Sequence, residues 1–451
     1  MSSYPISKQC QFAYPEISRF SETFNQLEFQ QKLRSSLKES IAPLSLALAM
    51  PFCAQGCRCC YHDKIVAANL PSLREYLDHL MIEIDLHSQW LGPHHAVLQL
   101  HFAGAPSCLE GAEITELMHY LASRYHLVDD KRREYSIEIN TQAATRNSLA
   151  LYKGLGFNHL NFTVSDFSLP LGKSINRSHS FDSVKELTEA ARLHQFSSLN
   201  YNLVYGLAGQ TMSALATTLD QLISLSPDRI FLRDALSFYS YCAAENQNFH
   251  QSCAPSEEEK QLLFAVADEK LLAAGYQSIG MECYVKPTDS LVWAQQRGFL
   301  QYNGHGYTAC KTMGVAGLGV SSYSALQFFY TQNEGDIKSY FQRLDNNELP
   351  IARGVKLSAD EKLRHYVVSQ LVCNHWCDIG EVERAFSVVF SDYFSREMAA
   401  LSALEQEGLI FWQGRVLRVA KPVRLGLAAL CGLFGHAHLD LVETGVVAEG
   451  A

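Results

Sequence analysis

The chain has 451 residues, 47% hydrophobic and 19% charged, with 47 acidic against 37 basic side chains and a net charge of −10. That size suits one large domain with accessory pieces, and an acidic balance without a Lys/Arg run argues against nucleic acid as the main partner. No stretch reaches the roughly 18 apolar residues of a membrane span, and MSSYPISKQCQFAYP lacks a basic segment leading into an apolar one, so neither a span nor a secretory leader is expected and the location is expected to be cytoplasmic.

Residues 1–42 read as an N-terminal extension. From about residue 43 to residue 300, short β-rich runs alternate with amphipathic ones. The strand candidates are LSLALAM (Leu44–Met50), AVLQLHF (Ala96–Phe102), EYSIEIN (Glu134–Asn140), HLNFTV (His159–Val164), LNYNLVY (Leu199–Tyr205), RIFLRDA (Arg229–Ala235) and QSIGMECY (Gln277–Tyr284). Most are near-continuous apolar runs, as parallel strands covered on both faces require. Between them, Leu73–Leu91, Ile114–Tyr125, Asp182–Phe196 and Met212–Leu225 carry apolar residues at helical spacing. Ser256–Tyr276 opens with Ser and three Glu, a helix start signal, and closes at Gly275.

Repeated strand–helix units predict an α/β fold with a parallel sheet, open or closed into a full or partial barrel. Residues 301–357 read as a connecting segment, with GVAGLGVSSYSAL (Gly314–Leu326) as a glycine-rich loop. Residues 358–451 read as a mainly helical accessory domain with a small hairpin at Phe411–Ala420.

The chemistry concentrates after the first strand. Of 13 cysteines, four fall in PFCAQGCRCCYHDKIV (Pro51–Val66). Cys53, Cys57 and Cys60 form C-x3-C-x2-C, with Cys59 between the last two. The run sits at the carboxyl end of a strand, where α/β sheets and barrels build their sites. Three thiolates are one fewer than a closed structural zinc site or an ordinary iron–sulfur cluster uses, which leaves one open position for chemistry. Zinc held by Cys53, Cys57, Cys60 and His62 is the competing chemistry.

C-x3-C-x2-C after the first strand resembles the signature of the radical S-adenosylmethionine (SAM) superfamily. Within it, PFC followed by DKIV resembles the oxygen-independent coproporphyrinogen III oxidase (coproporphyrinogen dehydrogenase) family. FAYPEISRFSETF (Phe12–Phe24), SIEIN, Asn176-Arg177, YGLAGQT (Tyr205–Thr211), GYQSIGME (Gly275–Glu282), GLGVSSYS (Gly317–Ser324) and FSDYF (Phe390–Phe394) recur in that family's order. The resemblance implies a partial parallel (β/α) barrel of the radical SAM type. It implies a [4Fe-4S] cluster on Cys53, Cys57 and Cys60, one or two SAM molecules, and conversion of two propionates of coproporphyrinogen III to vinyl groups, giving protoporphyrinogen IX in heme biosynthesis. It further implies an electron donor such as flavodoxin or ferredoxin, and a monomer is expected.

The resemblance also implies SAM contacts at Cys59, Ala103, Gly104, Ala105, Glu138, Ser165, Arg177, Asn202, Ala235 and Tyr323. Arg177 and Lys286 are candidates to meet the substrate's carboxylates. Several positions depart from the family's pattern. A tyrosine and a histidine before PFC are Ala47 and Ala49, the glycine-rich turn carries Ala105, and His62, Ser165, Asn202 and Cys283-Tyr284 replace other residues. These departures leave room for a sibling radical SAM enzyme with another substrate, or for a heme-binding or heme-inserting relative.

Overall fold

The computed structural model describes residues 19–24, 29, 42–53, 65–66, 73–92, 95–104, 106–167, 179–235, 255–304, 306–326, 329–420 and 423–435. Six strands run parallel in chain order: β1 (Leu44–Met50), β2 (Ala96–Gly104), β3 (Glu134–Ile139), β4 (His159–Val164), β5 (Ser198–Tyr205) and β6 (Arg229–Asp234). Helices α1 (Leu73–Leu91), α2 (Gly111–Arg124), α3 (Arg146–Gly154), α4 (Phe181–Leu193) and α5 (Met212–Ser224) alternate with them. Helix α6 (Glu257–Ala273) starts at Ser256, whose hydroxyl and the Glu259 carboxylate cap each other's backbone amides. The expected strand–helix alternation is therefore the architecture of this region.

The strands are two-faced. Leu44, Leu46, Leu48 and Met50 of β1, Tyr135, Ile137 and Ile139 of β3, and Leu199, Tyr201, Leu203 and Tyr205 of β5 enter one continuous core with the helices. The alternate residues face inward: Ser45, Ala47 and Ala49; Glu134, Ser136 and Glu138; Asn200 and Asn202. The outer face is apolar because helices cover it, and the inner face is polar because it holds the site.

Two expectations change. QSIGMECY is not one strand but two, β7 (Gln277–Gly280) and β8 (Cys283–Val285), paired antiparallel; β8 also runs antiparallel to β6. Met281 and Glu282 make the reversal at φ +43° and +62°. The segment read as a glycine-rich loop is also strand. β9 (Gly314–Leu318) pairs parallel with β1, and β10 (Tyr323–Leu326), β11 (Phe329–Asn333) and β12 (Ile351–Lys356) extend the sheet antiparallel. Gly317 is glycine for a packing reason: a Cβ there would stand 2.3 Å from the Tyr323 carbonyl oxygen.

The sheet order is β7-β8-β6-β5-β4-β3-β2-β1-β9-β10-β11-β12, an unclosed curved sheet that forms the partial barrel. Its base is tied by side chains. Gln99 Nε2 donates to Glu134 Oε2 and to Thr308 Oγ1, both at 2.7 Å, and Ser45 Oγ donates to Gln99 Oε1 at 2.6 Å.

A second core lies in the C-terminal region, around a long helix (Ala359–Asn374), shorter ones (Ile379–Phe386, Phe390–Tyr393, Ser395–Gln406) and a last helix (Val423–Phe434). The hairpin strands Ile410–Gln413 and Val416–Val419 join Trp376–Asp378 in a three-stranded sheet. Among the described residues no helix is long and apolar enough to cross a membrane.

Candidate active site

The chain leaves β1 through Pro51 into a two-residue strand, Phe52–Cys53, which pairs parallel with Ile65–Val66. This pairing brings together the two ends of the cysteine segment at the carboxyl end of the sheet. The Cys53 backbone is thereby placed at the mouth. Cys57, Cys59, Cys60 and His62 lie outside the described residues, as do Ala105 and Arg177.

Beside this neck, β2 ends in Ala103, which is buried, and Gly104. Gly104 has φ +88°, and a Cβ on it would sit 2.3 Å from the Met50 carbonyl oxygen. Only glycine lets β1 and β2 end this close together, and the bare backbone is left open to a ligand. The Gly104 amide donates to Glu138 Oε2 at 3.0 Å. Glu138 stands near the end of β3 on the inner face, so its carboxylate is bound to the turn it was expected to work beside.

His101, which sequence reasoning did not single out, completes this corner. Its Nδ1 lies 2.7 Å from Ser136 Oγ and its Nε2 lies 3.7 Å from Glu138 Oε1. The signal was present in the two-residue period of β2, where Gln99, His101 and Ala103 share the inner face. Across β1 the inner positions beside His101 and Ala103 are Ala47 and Ala49, respectively. The two departures from the family pattern thus widen the inner face here.

Ser165, just past β4, is fully buried, and among the described residues its hydroxyl has no hydrogen-bond partner. Asn202 is half-buried on the inner face of β5, between Thr163 and Phe231 in register. Ala235 is buried directly after β6. These three share the carboxyl end with Gly104 and Glu138. Tyr323 lies on the other flank of β1, opening β10, where it stacks on Phe20 at 5.9 Å between ring centroids. Burial pushes its phenol well above the usual range.

Lys286 is a correction. It follows β8 at the opposite end of β6, and its ammonium is held by Asp228 Oδ1 at 3.1 Å and the Ser226 carbonyl at 2.9 Å. Antiparallel β8 carries it away from the mouth.

A network behind the neck was also missed. Glu83 of α1 is fully buried. Its Oε2 accepts from the Tyr340 hydroxyl at 2.6 Å and the Gly319 amide at 2.7 Å, and its Oε1 accepts from Asn333 at 2.6 Å. Burial raises its carboxyl to about 7, against the lowering effect of these bonds. The Tyr76 hydroxyl, about two turns earlier on α1, reaches the Ala49 carbonyl and accepts from the Val320 amide.

The radical SAM superfamily model matches residues 48–222, from the end of β1 into α5. The oxygen-independent coproporphyrinogen III oxidase of Pseudomonas aeruginosa is 34% identical over 437 residues, covering 96% of this chain and 94% of that protein. The same oxidase of Escherichia coli is 31% identical over 423 residues, covering 94% and 91%. The solved coproporphyrinogen III oxidase of Escherichia coli, described as a radical SAM enzyme, superposes with a TM-score of 0.87 over 94% of this chain and 96% of that one, at 30% identity.

Proposed function

Since the chain belongs to the oxygen-independent coproporphyrinogen III oxidase family, we propose that it is a radical SAM enzyme that decarboxylates two propionates of coproporphyrinogen III oxidatively to give protoporphyrinogen IX. The single observation that carries this reading beyond likeness is the corner formed by Gly104, Glu138 and the neck of the cysteine loop. Backbone without a side chain and a fixed carboxylate stand beside the Phe52–Cys53 strand at one end of the sheet, and the sequence sets Cys57 and Cys60 closely after Cys53. That donor set fits a [4Fe-4S] cluster with one iron left open.

In this reading Cys53, Cys57 and Cys60 hold the cluster. Gly104 and Ala103 offer backbone to the methionyl end of SAM, and Glu138 accepts from its ribose hydroxyls. Cys59, Ala105, Ser165, Arg177, Asn202, Ala235 and Tyr323 are the further contacts proposed for one or two SAM molecules. A cluster held by Cys53, Cys57 and Cys60 would supply one-electron reductive chemistry toward SAM beside Gly104 and Glu138. The protein's own contribution would be to orient and to exclude water, and the hydrogen bonds among Ser45, Gln99, Glu134 and Thr308 tie the strands together at the far end. A flavodoxin- or ferredoxin-type donor, a monomeric state and a cytoplasmic location belong to the same proposal.

The test is anaerobic reconstitution followed by counts of iron, sulfide and zinc, and an assay for 5′-deoxyadenosine and protoporphyrinogen IX. About four iron and four sulfide per chain with both products is the expected result. Zinc without sulfide, or SAM cleavage that leaves coproporphyrinogen III unchanged, would overturn the reading.

A further inference from the structure

Along β6, Ile230 and Leu232 enter the helix-side core, and Asp234 pairs with Lys260 of α6 at 3.3 Å. The intervening residues Arg229, Phe231 and Arg233 therefore face inward. Arg229 is held by Asp289 at 2.8 Å near the base. Phe231 packs against the cluster around Ile279, Cys283 and Leu291. Arg233 comes last, at the carboxyl end of the strand and two residues before Ala235.

Arg233 is half-buried, and its guanidinium lies over the Phe231 ring at 5.4 Å from the centroid. Among the described residues no carboxylate forms an ion pair with it. The acids nearby in sequence or register are occupied: Asp234 by Lys260, and Glu282 by the Tyr205 hydroxyl at 2.6 Å. Val204, its register partner on β5, brings no polar side chain. A guanidinium drawn partly out of water, seated on an aromatic face and with no carboxylate among the described residues is placed to take an anion from a ligand. Its planar fork matches a carboxylate, and the carboxyl end of an open parallel sheet is where such folds take ligands.

Resting on the function proposed above, we infer that Arg233 receives a carboxylate of the tetrapyrrole substrate, one of its propionate groups, and so takes the part that sequence reasoning had assigned to Lys286. The carboxylate of SAM has the same chemistry, so the experiment must separate the two sources.

The reconstituted full chain, kept anaerobic, is titrated with coproporphyrin III, the stable oxidised form of the substrate, with its tetramethyl ester, and separately with SAM. Wild type is expected to prefer the acid. Arg233→Gln is expected to bind the acid roughly ten- to hundredfold more weakly, with ester and SAM affinities unchanged, and Arg233→Lys to fall between. Unchanged SAM affinity also shows that the variant is folded. The inference is overturned if wild type does not distinguish acid from ester, if Arg233→Gln binds the acid as wild type does, or if the variant loses SAM instead. Failure of the functional reading is a separate result, because it is seen in wild-type turnover of coproporphyrinogen III and not in these affinities.

Discussion

The Tyr76 hydroxyl donates to the Ala49 carbonyl at 2.7 Å, four residues before Cys53. Helix α1 thus holds the last inner residue of β1 in place directly behind the cysteine loop. Tyr76→Phe leaves that buried carbonyl without its donor, at a cost of about 1–3 kcal/mol. The expected outcome is lower unfolding free energy and lower iron content after identical reconstitution. Full iron content at unchanged stability would count against the link.

Glu83 gives a pH dependence with a definite sign. Its folded carboxyl is raised to about 7, above its unfolded value. The unfolded chain therefore releases this proton first as pH rises, and stability is lost between about pH 4.5 and pH 7. The size is about 3 kcal/mol at most. Buried His87 and His365, both lowered to about 4, act in the opposite sense as pH falls below their unfolded range. The check is a comparison of wild type with Glu83→Gln in denaturant unfolding at pH 5 and pH 7.5. The variant should lose less stability than wild type across that interval.

Gly104→Ala should abolish SAM binding while the fold survives. The added Cβ meets the Met50 carbonyl at 2.3 Å, and the residue would be held at φ +88°. Equilibrium binding of SAM to the reconstituted variant, beside its far-ultraviolet dichroism, measures both parts. SAM affinity near that of wild type would remove Gly104 from the site.

His101→Asn keeps a donor toward Ser136 but withdraws the ring nitrogen that stands 3.7 Å from Glu138. A three- to tenfold loss of SAM affinity is expected, roughly the worth of one polar contact. The same loss in a Glu138→Gln background would show that the two residues act independently; a smaller one would show coupling.

Lys260 and Asp234 form a pair in which both side chains are more than nine-tenths buried. Lys260→Met leaves Asp234 charged and without its cation, so destabilisation of about 3–5 kcal/mol is expected. Adding Asp234→Asn should recover part of it. Denaturant unfolding of the three variants decides this.

The parallel strands were legible because their outer faces carry long apolar side chains that must meet helices: Leu44, Leu46 and Leu48 in β1 are unambiguous. The family motif drew attention to Glu138, and the structure sets its carboxylate on the Gly104 amide. β7 and β8 were not separable, because the reversal falls on Met281 and Glu282, neither of which is a turn residue by type. Gly317 misled for the converse reason. Its glycine marks close backbone approach between strands rather than a loop, and one-dimensional reading cannot tell these apart. Lys286 was misplaced because the direction of β8 decides which end of the sheet its cation serves. The network of Tyr76, Glu83, Asn333 and Tyr340 joins residues more than 250 positions apart in part, so no local pattern could reveal it.

The knot of Gln99, Glu134 and Thr308 at the base has a consequence for the order of events. A vessel with a floor is filled and emptied through one opening. A ligand seated against Glu138 and Gly104, at the carboxyl end, and a bulkier one beside it would share that opening. Replenishing the first between two successive rounds would then compete with passage of the second, so the timing of the second round would be set by traffic at the rim.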